Sequence, residues 1–226
     1  MFKTETHLHT SEVSRCGKLS SDQMIKRYSE AGYKTVIVTD HFQANTLDTL
    51  GDISWEDKVA IFLSGYYRAK YTAEKFDMHV LLGAEFCFVG QPNHYLALGL
   101  TKEFLCKYPD LHKMSIAEFY PIAKAAGIYL IQAHPYRDDN CYPTPEYADA
   151  VEVYNGNPRH NDYNDRAEAY ALENGFPITG GSDAHQLPDI AQGGIITEKP
   201  ITTVEEYIEI VKSGKLELIK VEGEVQ

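Results

Sequence analysis

The sequence has no run of basic residues and no long apolar stretch. Lys and Arg total 21 against 33 Asp and Glu, which gives a formal net charge of -12. That balance disfavours broad binding to nucleic acids or to anionic membranes. No apolar stretch approaches the ~18 residues that a membrane-spanning helix needs. The N-terminus, Met1-Phe2-Lys3-Thr4-Glu5, lacks the apolar core of a signal peptide. We therefore expect a cytoplasmic protein.

Cysteine is scarce, and its spacing is uninformative. Cys16, Cys87, Cys106 and Cys141 form no Cys-x-x-Cys pair, and a reduced chain is the simplest interpretation. We interpret the last three as ordinary buried or surface thiols. The sequence also shows no internal repeat, low-complexity segment or linker. A chain of 226 residues suits one globular domain, 1–226, with a sizeable core.

Strand-like and helix-like segments alternate along the chain. Several strand candidates are continuous apolar runs, such as Val36-Ile37-Val38 and Tyr129-Leu130-Ile131, which fit strands buried on both faces. The strand candidates are 2–8, 35–39, 79–88, 94–100, 128–133, 150–154 and 177–180. The helix candidates are 20–31, 55–76, 115–126, 161–173 and 204–213. This alternation predicts a parallel sheet. Seven strands favour a barrel, although a doubly wound sheet also fits.

Most of the nine histidines lie at segments that resemble strand ends. These segments are His7-Leu8-His9, Thr39-Asp40-His41, His94, Ala133-His134-Pro135 and Ser182-Asp183-Ala184-His185, and Glu85 lies in a similar one, Gly83-Ala84-Glu85-Phe86. Imidazole and carboxylate are the usual ligands of Zn, Mn and Fe. Ligands at the ends of successive strands converge when the strands are parallel and arranged in a circle, as in barrel enzymes. The pattern predicts a multinuclear metal hydrolase.

The local spacing supports convergence. Alternate side chains of a strand share a face, so His7 and His9 form a clamp for one ion, and Asp183 and His185 share a face in the same way. Gly180 and Gly181 precede the second pair and allow a sharp turn. Asp40 is better placed to orient a ligand histidine than to bind metal itself.

These motifs, in this order, resemble the polymerase and histidinol phosphatase (PHP) superfamily over about residues 4–188. The resemblance implies a distorted (β/α)7 TIM-like barrel that holds two to three divalent transition metals (Zn, Mn or Fe) and hydrolyses phosphoesters. It implies one ion held by His7, His9, Glu85 and Asp183, and a second held by Glu85, His94 and His134. It implies a third ion on His41 and His185. Glu85, Asp183 and His185 would be the catalytic residues.

One position departs from the family pattern. Relatives place an Asp or His a few residues after the His-x-His pair as a further ligand of the third metal. Here the segment is Thr10-Ser11-Glu12-Val13-Ser14-Arg15-Cys16-Gly17-Lys18. Alignment on Gly17 puts Cys16 at that position, whereas Glu12 is the nearest carboxylate. We favour Glu12, because hard ions prefer carboxylates, and Cys16 is the alternative for a softer zinc site.

A phosphate substrate also needs cationic donors. Arg15 follows the first histidine clamp, and Arg159 and His160 follow the strand candidate at 150–154, so we predict that these three bind substrate. For each of them a solvated surface position is the alternative. We expect that position for Lys18 and Arg137.

The predicted function is that of a metal-dependent phosphatase or phosphodiesterase. Its partner would be a small phosphorylated metabolite, such as histidinol phosphate or a nucleotide phosphate, or inorganic phosphate. An amidohydrolase or lactonase is one alternative, because the same arrangement of metal ligands in a barrel can also act on carbonyl substrates. A catalytically degenerate, metal-binding regulatory module is another, although degenerate sites usually lose ligands.

Overall fold

The computed structural model describes residues 1–221, in which ten strands form one sheet. The strands are β1 (Phe2–Leu8), β2 (Tyr33–Val38), β3 (His41–Phe42), β4 (His79–Cys87), β5 (His94–Leu98), β6 (Tyr129–Ala133), β7 (Ala150–Asn155), β8 (Ile178–Gly181), β9 (Ile195–Thr197) and β10 (Glu217–Leu218). Seven of them are hydrogen-bonded in the order β1-β2-β4-β5-β6-β7-β8, while β3 pairs with β4.

The two ends of this seven-strand series meet. A parallel bridge joins Leu8 to Ala184, and the hydroxyl of Thr6 donates to the carbonyl of Gly180 at 2.8 Å. These contacts bring β8 back to β1, so the sheet is a nearly closed barrel. The predicted distorted TIM-like barrel is confirmed, and the seven predicted strands are its barrel strands.

One barrel strand corrects the expected all-parallel arrangement. Strand β5 runs antiparallel to both neighbours, β4 and β6. His94 is the first residue of β5 and lies opposite Cys87 and Ala133, the last residues of β4 and β6. The reversed direction therefore carries His94 to the same edge as the carboxyl ends of the parallel strands.

Eight α-helices connect the strands of the described region: α1 (Ser21–Glu30), α2 (Ala44–Leu47), α3 (Trp55–Phe62), α4 (Ser64–Ala73), α5 (Lys102–Lys107), α6 (Ile116–Ala125), α7 (Asn164–Asn174) and α8 (Val204–Ser213). The hydroxyls of Ser20, Ser115 and Thr203 cap α1, α6 and α8, where the sequence predicted helix starts. The segment expected as one helix over 55–76 is two helices separated at Leu63. Helix α7 begins at Asn164, later than predicted, because Tyr163 adopts a left-handed conformation with φ 46°.

Apolar packing fixes the barrel wall beneath the site. Met24, Ile25 and Tyr28 of α1 are buried against Val36 and Val38 of β2, as their spacing predicts. No helix within residues 1–221 is long and apolar enough to cross a membrane.

Candidate metal centre

Four buried side-chain atoms meet at the carboxyl edge of the barrel without a hydrogen-bond partner in the described region. They are Nε2 of His7, Nε2 of His9, Oε2 of Glu85 and Oδ1 of Asp183. Nδ1 of His41 lies 2.8 Å from the Glu85 oxygen, but not in the orientation of a hydrogen bond. Each of the four side chains is at most 1% exposed. Buried polar atoms normally have partners, because an unsatisfied one costs about 1–3 kcal/mol. Four such atoms in one place indicate a binding site for a cation.

The spacing of these atoms fits a metal ion better than hydrogen bonds. Nε2 of His9 lies 3.4 Å from Oε2 of Glu85 and 3.2 Å from Oδ1 of Asp183, and Nε2 of His7 lies 3.4 Å from the same Oδ1. Ligand atoms bound at ~2.0–2.1 Å in tetrahedral geometry lie about 3.4 Å apart. An N–H···O hydrogen bond is usually shorter, at about 2.9–3.0 Å. The residues present therefore fit a divalent transition metal.

Two further groups of potential ligands adjoin this cage. Oε1 of Glu85 lies 2.8 Å from Nδ1 of His94 and 3.1 Å from Nε2 of His134. In the other group, the potential ligand atoms of His9, His41 and His185 lie within 4.8 Å of one another. Glu85 belongs to the first two groups, which is the bridging position expected of it. The structure thus brings together eight of the predicted ligands: His7, His9, His41, Glu85, His94, His134, Asp183 and His185.

A buried carboxylate fixes the tautomer of His7. Nδ1 of His7 lies 2.9 Å from Oε1 of Glu152, and both side chains are 0% exposed. An ionised carboxylate only accepts hydrogen bonds, so Nδ1 carries the hydrogen and Nε2 keeps its lone pair for a metal. Burial raises the pKa of Glu152, but the adjacent His7 outweighs it and the pKa is lowered. Glu152 was not among the residues that the sequence predicted to be functional. It is a buried residue of β7.

Ser14 fixes the tautomer of His9 in a similar way. Its hydroxyl donates to Oδ1 of Asp40 at 2.7 Å and accepts from the backbone N–H of His41 at 3.0 Å. Nδ1 of His9 lies 3.2 Å away. Because the only hydroxyl hydrogen goes to Asp40, Ser14 accepts from Nδ1 of His9, which again leaves Nε2 free. Asp40 thus orients a candidate ligand, as predicted, but it acts through Ser14.

Arg137 contacts a candidate ligand directly. Its guanidinium donates to Oδ2 of Asp183 and to Oδ1 of Asp162, both at 2.6 Å, and its side chain is 14% exposed. The expectation of a solvated surface charge is wrong. Burial raises the pKa of Asp183, but the charges of His7 and Arg137 outweigh it and hold the pKa well below its usual range. Asp183 is therefore a carboxylate with one oxygen on Arg137 and the other directed into the cage.

Backbone constraints also shape the cage. His134 has φ 28° and Asp183 has φ 49°, left-handed values that cost energy for residues with side chains and that cluster at functional sites. A Cβ atom on Gly181 would lie 2.6 Å from Cβ of His7. Glycine is therefore required there because β8 approaches β1 closely, whereas the sequence suggested a sharp turn.

Comparisons with known proteins are consistent with this geometry. The model of the family described as "PHP-associated" matches residues 161–216. Among solved structures, a two-domain protein from Bacteroides vulgatus that contains a predicted PHP-like metal-dependent phosphoesterase superposes with a TM-score of 0.68 at 16% identity. That alignment covers 97% of this chain and 64% of the other, so this chain spans less than two thirds of its neighbour. The fold that the resemblance to the PHP superfamily implies is therefore confirmed.

Two other solved structures share the fold of this chain. A lesion-specific endonuclease from Pyrococcus furiosus has a TM-score of 0.62 at 16% identity over 96% of this chain and 57% of the other. An amidohydrolase from Chromobacterium violaceum with bound sulfate has a TM-score of 0.58 at 14% identity over 95% of this chain and 97% of the other. At such identities the likeness establishes the fold alone. A search of curated protein sequences gave no match.

Glu12, which we favoured over Cys16 as a further ligand of the third metal, lies elsewhere. The backbone N–H of Ser21 donates to both carboxylate oxygens of Glu12 at 3.1 and 3.0 Å, and Nε of Arg68 lies 3.6 Å from one of them. The carboxylate thus lies at the amino end of α1. The preference for Glu12 as a metal ligand is wrong, because a negative charge at a helix N-terminus already satisfies local N–H groups.

Cys16 lies at the third group instead. Burial raises the pKa of its thiol, but hydrogen bonds with His185 and His41 outweigh it and lower the pKa to about 6. A second thiol, Cys87, lies 3.8 Å from Nδ1 of His41. Cys87 was interpreted from the sequence as an ordinary thiol. Its two-residue separation from Glu85 on β4, which places both on one face, is the signal that could have identified it.

The predicted substrate-binding cations differ in their surroundings. Arg15 has no carboxylate within 4.0 Å in the described region, and neither has Lys18, for which we expected a solvated surface position. Arg159 pairs with Asp189 at 2.9 Å, and the same carboxylate oxygen accepts from the backbone N–H of His185. This contact assigns Arg159 to the support of the His185 segment rather than to a free anion site.

Two cavities lie close to the predicted substrate residues. Arg15 lines one of about 350 Å³ together with Glu12, Leu47, Leu50 and Phe62. His160 lines another of about 520 Å³ with Asn155, Asn157 and Asp162, and Nδ1 of His160 lies 2.9 Å from Oδ2 of Asp138.

The candidate ligands differ in exposure around the centre. His94, His41 and His185 have 27%, 12% and 8% of their side-chain surface exposed, whereas His7, His9 and His134 have none. The centre therefore opens on the side of β5, β3 and the segment after β8, and this is the side on which Cys16 is exposed.

Proposed function

We propose that this protein is a metal-dependent phosphoesterase that hydrolyses a small phosphorylated metabolite. Histidinol phosphate and nucleotide phosphates are the first substrates to consider. The observation that carries the proposal is the cage of four unpartnered buried atoms at the spacing of metal ligands, which shares Glu85 with a second group of ligands. The centre would hold two to three Zn, Mn or Fe ions. The four free cysteines are compatible with a location in a reducing cytoplasm.

His7, His9, Glu85 and Asp183 would hold one ion, Glu85, His94 and His134 a second, and His41 and His185 a third. When bound, such ions supply an activated water and polarise phosphoryl oxygens. The protein's part is to hold the ligands in the correct protonation state. Glu152 keeps the hydrogen of His7 on Nδ1, and Ser14 does the same for His9.

Arg15 and Lys18 support an anionic substrate. Both lie on the loop between β1 and α1, where the backbone N–H of Lys18 donates to the carbonyl of His185, and neither is paired with a carboxylate in residues 1–221. A phosphate bound to one of these side chains would gain about 1.5–3 kcal/mol per charged hydrogen bond. The 350 Å³ cavity beside Arg15, with Leu47, Leu50 and Phe62 in its wall, has room for a small organic group.

The size and charge of the chain favour a small substrate over a long polymer. The formal net charge is -12, and such a protein repels the phosphate backbone of a nucleic acid. The neighbours described as a phosphoesterase and an endonuclease support phosphoester chemistry, whereas the amidohydrolase neighbour keeps carbonyl substrates as the competing class.

The test measures phosphate release from a panel that includes histidinol phosphate, nucleoside monophosphates and p-nitrophenyl phosphate, using protein of known metal content. Parallel assays use p-nitrophenyl acetate and an N-acetylated amine as carbonyl substrates. Glu85→Gln should abolish metal-dependent phosphate release. Glu173→Gln, an exposed residue of α7, is the matched control and should retain it.

Phosphate release that requires added Mn²⁺ or Zn²⁺ and is lost in Glu85→Gln supports the proposal. Metal-dependent turnover of carbonyl substrates alone would replace it with the amidohydrolase or lactonase function. Metal binding with no turnover of either class would favour the degenerate regulatory module.

A further inference from the structure

Where β8 returns to β1, a buried carboxylate takes the place of regular strand pairing. One β-bridge joins this seam in the described region. Glu5 of β1 is 0% exposed, and its Oε1 accepts from the backbone N–H groups of Thr6, His7 and Ser182, each at 2.9 Å. Thr6 and His7 belong to β1, whereas Ser182 directly follows β8. One oxygen atom therefore holds both sides of the seam together.

The same oxygen stabilises a bulge in β1. Three residue steps from Glu5 to Leu8 lie opposite only two steps from Val36 to Val38 of β2, so β1 contains one extra residue at Thr6–His7. A bulge interrupts the ladder of backbone hydrogen bonds and changes the direction of the side chains next to it. Oε1 of Glu5 accepts the two N–H groups of this stretch. Glu5 therefore fixes the local backbone that directs the imidazole of His7.

Hydroxyl groups hold the second carboxylate oxygen of Glu5. The hydroxyl of Tyr28 donates to Oε2 at 2.7 Å, and the hydroxyl of Ser182 donates to the same atom. The Ser182 hydroxyl in turn accepts from the N–H of Gly193 at 2.8 Å. No side-chain nitrogen of Lys, Arg or His lies within 4.0 Å of this carboxylate in residues 1–221. The contribution of Glu5 is thus a set of directed hydrogen bonds and not an ion pair.

The two backbone segments that Glu5 holds carry ligands of the same candidate ion. One N–H belongs to His7, and another belongs to the residue before Asp183. Nε2 of His7 and Oδ1 of Asp183 lie 3.4 Å apart in the cage. None of the five hydrogen bonds of Glu5 in the described region involves His94 or His134, the histidines assigned to the second ion. The effect of Glu5 is therefore directed to one ion.

We propose that Glu5 is a positioning residue for the first ion, the one assigned to His7, His9, Glu85 and Asp183. By accepting three N–H groups, its Oε1 sets the separation and direction of His7 and Asp183 before a metal binds. An apolar side chain would leave three buried N–H groups without an acceptor, so the bulge and the seam would rearrange. The proposal rests on the metal centre of the proposed function, but not on its substrate or reaction.

The experiment compares two substitutions of similar size. Glu5→Met removes the acceptor. Glu5→Gln keeps an oxygen that can accept the same three N–H groups, while its NH₂ group faces the hydroxyls of Tyr28 and Ser182, which can accept as well as donate. Tyr28→Phe is the matched control, because it removes a donor to Oε2 and leaves the bonds to Oε1 in place. Glu5→Asp, whose shorter side chain cannot span the seam in the same way, replaces Glu5→Met if that variant does not fold.

Metal-free proteins are titrated with zinc against a chromophoric chelator, and their thermal unfolding is followed by circular dichroism. The titration is repeated with His94→Ala added to each variant. This second change removes a ligand assigned to the second ion and so identifies the affinity that belongs to it.

Glu5→Met should bind the first ion about 10- to 100-fold more weakly, the range for a lost support of a metal ligand, and should keep the affinity of the second ion. Glu5→Gln and Tyr28→Phe should bind both ions much as the wild type does. A folded Glu5→Met protein that unfolds at a lower temperature but binds the first ion normally would overturn the proposal, because the role of Glu5 would then be stability alone. An equal loss in Glu5→Gln, or an equal loss at both ions, would also overturn it. These outcomes leave the phosphoesterase function standing, because phosphate release tests that function, whereas a wild-type protein that binds no zinc would overturn both.

Discussion

Glu152→Gln is the sharpest test of the assembled cage, because Glu152 holds the imidazole ring of His7 through one buried hydrogen bond. Its Oε1 lies 2.9 Å from Nδ1 of His7. Its Oε2 accepts from the backbone N–H of His134 and the side-chain amide of Asn155, both at 3.0 Å. The substitution keeps the shape of the side chain and removes its charge.

A glutamine cannot satisfy all of these partners. If its NH₂ group faces His7, it forces Nδ1 to accept, which moves the hydrogen of His7 to Nε2 and blocks the metal position. If the NH₂ group instead faces His134 and Asn155, it meets the backbone N–H of His134 and the side-chain amide of Asn155, which are also donors, so these buried groups lose their acceptor. Loss of such a partner typically costs 10- to 100-fold in metal affinity, which is about 1.4–2.8 kcal/mol. We expect the larger loss at the ion held by His7, since Glu152 contacts the imidazole ring of His7 but only the backbone N–H of His134.

The assay is a competitive titration of metal-free protein with zinc against a chromophoric chelator, which resolves ions of different affinity. Glu173→Gln is the control, because it removes the same charge at an exposed position of α7. If folded Glu152→Gln binds every ion with wild-type affinity, then Nε2 of His7 is not a metal ligand, and the interpretation of the four unpartnered atoms fails.

Three further outcomes are expected. Glu85→Ala should lower kcat more than His185→Ala, because Glu85 serves two ligand groups; equal losses in folded proteins, measured by steady-state kinetics, would refute the bridging role. Arg15→Ala should reduce kcat/KM for a phosphate ester by the equivalent of about 1.5–3 kcal/mol, while Arg159→Ala should instead lower the occupancy of the ion held by His185. The reverse pattern would exchange the roles of the two arginines. Burial lowers the pKa of His94, but Glu85 outweighs it and raises the pKa to about 10. Metal must then displace a proton at neutral pH, so affinity should rise with pH, and calorimetry in buffers of different ionisation enthalpy that detects no proton release would contradict this.

The sequence predicted the barrel strands well because each carries a strong local pattern. Strand β1 was predicted with its observed bounds, and β6 with an error of one residue at its start. Buried strands are continuous apolar runs whatever their neighbours are. The direction of a strand is harder to predict than its position. Whether β5 runs parallel or antiparallel depends on the path of the chain between Cys87 and His94, a six-residue connection that suits a reversal but that carries no hydrophobic pattern.

The candidate ligands were predictable because imidazole and carboxylate at strand ends have few other uses. The residues that support them were harder to predict. Arg137 is a charged residue in a polar loop, and nothing in the segment Pro135-Tyr136-Arg137-Asp138 shows that its guanidinium is buried between Asp162 and Asp183. Its partners lie 25 and 46 residues away along the chain. Such pairs are set by tertiary contacts and not by spacing.

Glu12 shows how a local rule can favour the wrong residue. Hard-ligand chemistry selected it over Cys16, and the same carboxylate also satisfies another local rule, because acidic groups near the start of a helix accept from its free N–H groups. Ser20 caps α1 and leaves the N–H of Ser21 available, and Glu12 occupies it. The position of Glu12 is decided by the course of the loop from Thr10 to Lys18, which brings its carboxylate to the amino end of α1. That course depends on hydrogen bonds to Asp40 and His185, residues that belong to other strand ends. The surroundings of the third group are therefore a property of the assembled barrel edge and not of the local sequence.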